Sequence, residues 1–312
     1  FVFILFQCMF AVITPALIIG AFAERIKFSG FLLFSLLWAT FVYDPVCHWI
    51  WSADGWLYKL GAVDFAGGAV VHINAGIAAL VTAVMIGRRK NYMNSAIPPH
   101  NIPFVALGAG LLWVGWFGFN AGSGLAADGL AANAFMVTHV SAAVAASVWM
   151  FLDWIFNKRP TIIGIVTASV AGLAAITPAA GYVNVGSAVI IGALVSVICF
   201  YMVGIAKVKL GYDDSLDAFG VHGIAGLWGT IAIGLFASPA IQNYTGLFNG
   251  GGAALLWKQL LASGVTLVYS GIVTFVLFRL VDKLVGIRVT GKDEAVGLDF
   301  TMHKEVAYTN ID

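Results

Sequence analysis

Two histidines lie inside long apolar stretches of the sequence, where an ionisable side chain is costly and is therefore a candidate for function. Each is followed by small residues three, four and seven positions later, which share its face on a helix. These are Ala75, Gly76 and Ala79 after His72, and Ala225, Gly226 and Gly229 after His222. An imidazole donates a hydrogen bond from one nitrogen and accepts one at the other, so two in contact would line a narrow polar path. The alternative is that each bonds a carbonyl group of a neighbouring helix.

An aspartate stands at the start of each of these apolar stretches, Asp64 before His72 and Asp217 before His222. Either could be a helix N-cap, whose carboxylate accepts backbone N–H groups. Asp64 could also stabilise a bound cation near the membrane surface. It lies eight residues before His72, about 12 Å along a helix, so we expect no direct contact between the two side chains.

Five further residues have side chains that suit a small cation. Phe6, Phe10, Trp51, Phe119 and Ser123 fall towards the same end of their apolar stretches. Aromatic faces attract cations by roughly 0.5–2 kcal/mol, and a serine oxygen accepts a hydrogen bond from N–H. Together they would select a cation that donates hydrogen bonds. Taken singly, each aromatic residue also fits the belt that borders a membrane.

Other ligand chemistries have little support in the sequence. The cysteines Cys8, Cys47 and Cys199 are scattered in apolar segments, which is typical of core residues and not of a disulfide or zinc framework. No His-x-x-His or Glu-x-x-His pair accompanies His72 or His222, so we expect no metal and no cofactor, although a haem between the two is geometrically allowed. A net charge of +1 leaves no footprint for nucleic acid.

The elements that must position these side chains are membrane helices. Hydrophobic residues make up 61% of the 312 residues and charged residues 10%, which excludes an ordinary soluble enzyme and a disordered chain. The apolar blocks are about 20 residues long, enough to span a bilayer, and lack the alternation of β-barrel strands. The sequence therefore predicts an all-α, polytopic membrane bundle with nine spans: 1–23, 29–51, 65–87, 102–122, 131–156, 161–177, 186–206, 218–238 and 253–285.

Basic residues predict the orientation of the bundle. Alternate loops carry nine of them, whereas the intervening loops carry Lys59 alone. The nine are Arg25, Lys27, Arg88, Arg89, Lys90, Lys158, Arg159, Lys207 and Lys209. By the positive-inside rule these loops face the cytoplasm. We therefore expect a membrane domain at 1–285 and a cytoplasmic tail at 286–312.

In that topology the two histidine segments run in opposite directions, which indicates a five-plus-five inverted repeat followed by one long last helix. Five spans lie between residues 102 and 238, with His222 in the fifth, whereas His72 lies in the third predicted span. If the halves match, two further spans precede Phe1 and the whole protein has eleven. We therefore expect an N-terminally truncated sequence.

A stripe of glycines predicts close helix packing. Gly108, Gly115, Gly118 and Gly122 fall within about 80° of one another on a helix. Such a stripe is typical of a close crossing between two membrane helices.

Six motifs, in order over the whole chain, make the sequence similar to the ammonium transporter (Amt/Mep) family, which is related to the Rh proteins; the closer likeness is to Amt. They are AERIKFS (23–29), DFAGGAVVHIN (64–74), GWFGFNAGS (115–123), TP (177–178), DAFGVHG (217–223) and GLD (297–299).

The resemblance implies eleven membrane helices, a homotrimer with one pore per subunit in the cell membrane, and conduction of ammonium into the cell. Phe10, Trp51 and Ser123 match an outer site that recruits ammonium, and Asp64 matches the carboxylate that supports it. Phe10 and Phe119 match a stacked pair that closes the pore, with Phe6 one turn away.

The resemblance also implies that His72 and His222 are twin histidines that line the duct and share a hydrogen bond. The tail matches a cytoplasmic segment that couples subunits and meets PII-type signal proteins. We expect ammonium to lose its proton near the recruitment site and to cross as ammonia, since an uncompensated charge is far more costly to bury. The alternatives are an Rh-like channel for a neutral gas such as carbon dioxide, and an ammonium sensor.

Overall fold

The computed structural model describes residues 1–95 and 97–308, which form helices and one isolated β-bridge, between Ile26 and Arg288. In this part of the chain eight helical segments are long and apolar enough to cross a membrane, and a ninth is shorter. They are α1 (Val2–Phe22), α2 (28–51), α3 (Gly68–Ile86), α4 (Ile102–Gly122), α5 (Gly129–Asn157), the shorter α6 (Ile162–Ile176), α7 (Val185–Leu210), α8 (Phe219–Phe236) and α9 (Ala254–Val285). The prediction of an all-helical, polytopic bundle is confirmed.

Side-chain caps explain where four of the helices begin. Asn101, Asp128, Thr161 and Asn184 precede α4, α5, α6 and α7, and each accepts a hydrogen bond from a backbone N–H of the first turn. The cap at Asp128 starts α5 two residues before the predicted boundary. A short polar side chain in this position satisfies donors that a helix otherwise leaves unpaired.

Four of the helices contain a π-helical turn, which inserts one extra residue and is frequent at functional sites. In α3 the turn covers Gly68–Ile73 and contains His72. In α8 it covers Phe219–Gly223 and contains His222. The other two turns, Ala39–Tyr43 in α2 and Met202–Ala206 in α7, carry no histidine.

The helices α3 and α8 cross in direct backbone contact. A Cβ atom on Gly76 would overlap the backbone of Gly223. A Cβ atom on Gly226 would lie 2.6 Å from the Cβ of His72, far inside normal contact. The small residues beside each histidine therefore have the packing role that their spacing predicts, and each admits the opposite histidine turn.

We call the end of the bundle that carries Trp51 the Trp51 end and the opposite end the Arg25 end. At the Arg25 end the segment after α9 pairs with the turn after α1, since Lys27 N donates to Ile287 O at 2.8 Å and Val289 N donates to Arg25 O at 3.1 Å. Arg288 donates to Ile86 O at 2.7 Å, which ties the same segment to the end of α3. Residues 309–312 of the predicted tail lie outside the described residues.

Candidate functional site

Aromatic rings form a cluster towards the Trp51 end. Phe10, on α1, is buried, and its ring centroid lies 5.3 Å from that of Trp51 and 4.6 Å from that of Phe119. Phe6, one turn earlier on α1, lies 5.0 Å from Phe10. Phe10 and Phe119 meet edge to face at 63°, not in the stack that the family resemblance implies. The electropositive edge of one ring favours the face of the other, which accounts for this geometry.

The polar atoms beside these rings are already oriented. Ser123 follows the end of α4, and its hydroxyl donates to Phe119 O at 2.9 Å. Because its one proton is used in this bond, the Ser123 oxygen can only accept a hydrogen bond from a ligand. Trp51 donates its indole N–H to Asp64 O at 2.7 Å, which fixes the orientation of its ring.

The carboxylate of Asp64 serves the start of α3. It accepts backbone N–H bonds from four consecutive residues, at 2.7–3.1 Å, and is only 6% exposed. The donors are Gly67, Gly68, Ala69 and Val70. The helix-cap alternative therefore describes its contacts. Through its carbonyl group Asp64 also positions Trp51, so one residue connects the aromatic cluster to the helix of His72.

The two predicted histidines come together in the interior of the bundle. Their ring centroids are 5.2 Å apart and their planes differ by only 12°. The hydrogen bond that the resemblance implies between them is not formed, since neither nitrogen of His72 has a partner among the described residues. Both nitrogens of His72 and Nδ1 of His222 are buried without a protein partner. The second alternative, in which each imidazole bonds a neighbouring carbonyl group, therefore fails for these three atoms.

Trp116 belongs to this site, although the sequence analysis did not single it out. Its ring stacks on His72 with centroids 5.5 Å apart and planes at 16°, and it lies 5.2 Å from Phe119. Its indole N–H donates to Thr177 Oγ1 at 2.8 Å. In sequence Trp116 is one more aromatic residue in an apolar span, so only its tertiary contact with His72 distinguishes it.

At the Arg25 end the residue that matches Asp64 is Asp214 and not the expected Asp217. Asp214 is buried and accepts the N–H of Phe219, the first residue of α8, at 2.8 Å. It precedes His222 by eight residues, the same offset as Asp64 from His72. Asp217 instead forms an ion pair with Lys207 and has a positive φ of 60°. Burial raises the pKa of Asp214 to about 6.

The glycine stripe of α4 does not make the predicted helix crossing within the described residues. A Cβ atom on Gly108, Gly115 or Gly118 would meet nothing within 4 Å, and only Gly122 approaches another helix, at the ring of Phe6. The stripe instead lines an apolar groove of about 660 Å³ between α1 and α4. The prediction of a close crossing is therefore wrong for the part of the chain that is described.

Comparisons with known proteins identify the family of this chain. The model of the Ammonium Transporter Family matches residues 1–308. The chain is 51% identical to an ammonium transporter of Bacillus subtilis over 98% of its own length and 75% of the relative. It is also 51% identical to the ammonium transporter Amt1 of Archaeoglobus fulgidus, over 98% of its own length and 78% of the relative.

A solved structure has the same fold. The crystal structure of Candida albicans Mep2 superposes with a TM-score of 0.86 at 35% identity, over 92% of this chain and 66% of Mep2. The described helices thus span about two thirds of that protein. With the family match over residues 1–308 and 51% identity to two relatives, the chain belongs to the ammonium transporter family, whose members are membrane transport proteins and not enzymes.

Proposed function

We propose that this protein carries ammonium across the membrane, recruiting it at the Trp51 end and passing ammonia along the histidine pair. One observation carries the proposal: an unbroken series of ring contacts leads from the aromatic cluster to the histidines. Trp51, Phe10, Phe119, His72 and His222 follow one another with centroid separations between 4.6 and 6.0 Å. A substrate that moved along this series would exchange cation-binding faces for neutral hydrogen-bonding groups.

Recruitment requires selection against other small monovalent cations. The aromatic faces of Trp51 and Phe10 attract any cation, whereas the Ser123 oxygen accepts a hydrogen bond that only a donor such as N–H can supply. Ammonium offers such donors and a bare potassium ion does not. Phe6, beside Phe10, and Phe119 complete the wall, and the Phe10–Phe119 contact acts as the gate.

Beyond the gate the substrate has to be neutral. Burying a bare charge in an apolar wall costs far more than burying an amine. We infer that ammonium gives up its proton near Trp51, and that ammonia then hydrogen bonds in turn to the imidazoles of His72 and His222. Their three buried, unpartnered nitrogens fit a substrate that both donates and accepts hydrogen bonds.

The remaining parts of the proposal concern the assembly. The Arg25 end carries most of the basic residues, so the positive-inside rule places it in the cytoplasm together with the segment that follows α9. Family membership supports a homotrimer with one pore per subunit, and a PII-type protein as partner at the cytoplasmic face. Cross-linking in native membranes tests the trimer, and co-purification with a PII-type protein tests the partner.

The experiment is transport in reconstituted vesicles. A methylammonium gradient should drive saturable uptake. Under an ammonium gradient, His72→Ala and His222→Ala should each change the size of the current. His48→Ala is the matched control, because His48 is an exposed histidine of α2 outside this series. If both pore variants carry the same current as the unaltered protein, the imidazoles do not relay the proton.

The same vesicles separate the two alternatives. A channel for a neutral gas would pass carbon dioxide without saturable uptake of methylammonium. A sensor would bind ammonium and show no transport in any variant. Saturable uptake in the unaltered protein excludes both.

A further inference from the structure

Gln259 is a buried amide that connects the recruitment segment to the helices of both histidines. It lies in the second turn of α9 and is fully buried. Its side chain pairs with both backbone groups of Val63, accepting from the N–H at 2.9 Å and donating to the carbonyl at 2.7 Å. The amide also donates to Thr230 O on α8 at 3.3 Å. These three bonds use both N–H donors of the amide and one acceptor position of its oxygen.

The segment that Gln259 holds is the one that orients the aromatic cluster. Val63 precedes Asp64, whose carbonyl group accepts the indole N–H of Trp51 and whose carboxylate caps α3. On the other side, Phe65 N donates to Pro178 O at 3.0 Å. Val63, Asp64 and Phe65 are thus each held by a hydrogen bond to a different helix or turn. Among these bonds, only the pair at Val63 is made by a side chain outside the aromatic cluster.

The position of Gln259 is itself tightly constrained. Near Gln259, the helices α8 and α9 meet so closely that a Cβ atom on Gly234 would overlap the backbone of Leu256. Thr230, one turn before Gly234, also faces the start of α3, because a Cβ atom on Gly68 would lie 2.7 Å from the Thr230 hydroxyl oxygen. The amide therefore joins α9, α8 and the approach to α3 at one point.

We propose that Gln259 is a positioning residue for ammonium recruitment, acting through Val63 and Asp64 on the orientation of Trp51. This inference rests on the proposed function. Losing the bond pair frees the segment that carries the Trp51 acceptor, and the ring then spends less time in the orientation that binds the cation. Affinity for the substrate falls, while the pathway beyond the gate is unchanged.

The test is the concentration dependence of methylammonium uptake by the protein in vesicles. Gln259→Met keeps the length of the side chain and removes the hydrogen bonds. We expect its half-saturation concentration to rise about five- to tenfold, the effect of one or two net hydrogen bonds, with the maximal rate within about twofold of the unaltered protein. Thr266→Val is the control, because the one bond of the buried Thr266 hydroxyl within the described residues is to Ala262 O of the same helix.

A double variant shows whether the effect passes through Trp51. In a Trp51→Leu background, Gln259→Met should leave the half-saturation concentration unchanged, since the ring to be positioned is absent. An equal increase in both backgrounds overturns the inference, and so does an unchanged half-saturation concentration in the single variant. If the unaltered protein shows no saturable uptake, the proposed function fails and not this inference alone.

A second substitution keeps the test decisive if the Met variant does not fold. A protonated carboxyl group carries one O–H donor and one acceptor, so Gln259→Glu can reproduce the pair with Val63 when protonated but not when ionised. We expect its half-saturation concentration, relative to the unaltered protein at the same pH, to be near normal at acid pH and raised at alkaline pH. A ratio that stays constant across this range overturns the inference.

Discussion

Replacing Asp64 by asparagine separates its two possible roles, because the substitution keeps the shape of the side chain and removes its charge. In the structure Oδ1 accepts the N–H groups of Gly67 and Gly68, and Oδ2 accepts those of Ala69 and Val70. An amide offers one oxygen and one NH₂ group. Whichever way the amide is oriented, two backbone donors therefore lose their acceptor.

The expected cost follows from these two lost bonds. A buried donor left without a partner costs about 1–3 kcal/mol, so the free energy of unfolding of Asp64→Asn should fall by about 2–6 kcal/mol. At roughly 2–4 °C per kcal/mol this corresponds to a decrease of about 4–24 °C in the melting temperature. Uptake should fall as well, since the start of α3 and the acceptor of Trp51 move together.

The assay is thermal unfolding in detergent, measured alongside methylammonium uptake. Asp54→Asn is the control. The Asp54 side chain lies in the same loop, is 89% exposed and pairs at 3.5 Å with the likewise exposed Lys59, so the melting temperature of this variant should not change. If Asp64→Asn melts like the unaltered protein but has lost uptake, the reasoning is refuted and the carboxylate acts on the substrate directly.

Two further outcomes follow from the geometry. Gly76→Ala should abolish uptake at normal membrane levels or reduce the amount of folded protein, because its Cβ would overlap the backbone of Gly223 and force α3 and α8 apart. Gly264→Ala is the control and should have no effect, since a Cβ there meets nothing within 4 Å among the described residues. Normal uptake by Gly76→Ala would contradict the crossing. Burial raises the pKa of Asp214 from 3.8 to about 6, so its contribution to stability is complete below pH 3.8 and is lost as the pH rises through 6. The free energy of unfolding should therefore decrease by up to about 3 kcal/mol over this range. Melting curves recorded between pH 4 and 7 should lose this decrease in Asp214→Asn. Asp213 does not interfere in this range: although burial opposes it, hydrogen bonds from Arg89 lower its pKa, and its contribution is lost only below pH 3.8. An unchanged pH dependence in Asp214→Asn would contradict the burial of its carboxylate.

The membrane spans could be predicted from sequence because the apolar composition of each block depends directly on its membrane environment. An apolar block of about 20 residues has few stable alternatives to a membrane helix. The predicted ends differ from the observed ones by a few residues where a cap or turn decides them, as at Asp128. The same pattern of small residues after His72 and His222 marks them as a related pair, and the family resemblance implies their contact.

What the sequence left undetermined depends on contacts between distant segments. Trp116 contacts His72 from a different helix, and no local pattern marks this contact. The glycine stripe that includes Gly118 indicates a helix face that another helix could approach closely, but the sequence does not indicate which helix, and no described helix does so at Gly118. The near-parallel orientation of the two imidazole rings depends on how the π-helical turns rotate His72 and His222, and the residue types do not show a π turn.

Asp214, and not the predicted Asp217, corresponds to Asp64, and the spacing to the histidine shows why. An offset of eight residues separates Asp64 from His72, and the same offset before His222 leads to Asp214. The register then extends further, since Gly61 ends the short helix Trp56–Leu60 and Gly211 ends α7, each with a positive φ, at 87° and 70°. Residues related by this register occupy equivalent places at opposite ends of the bundle, so each histidine turn begins at a buried aspartate. The two caps differ in one respect: Asp64 uses both oxygens in bonds to the backbone, whereas Asp214 Oδ1 has no partner. Burial raises the pKa of both carboxyl groups, and the backbone N–H bonds that oppose this rise are more numerous at Asp64 than at Asp214.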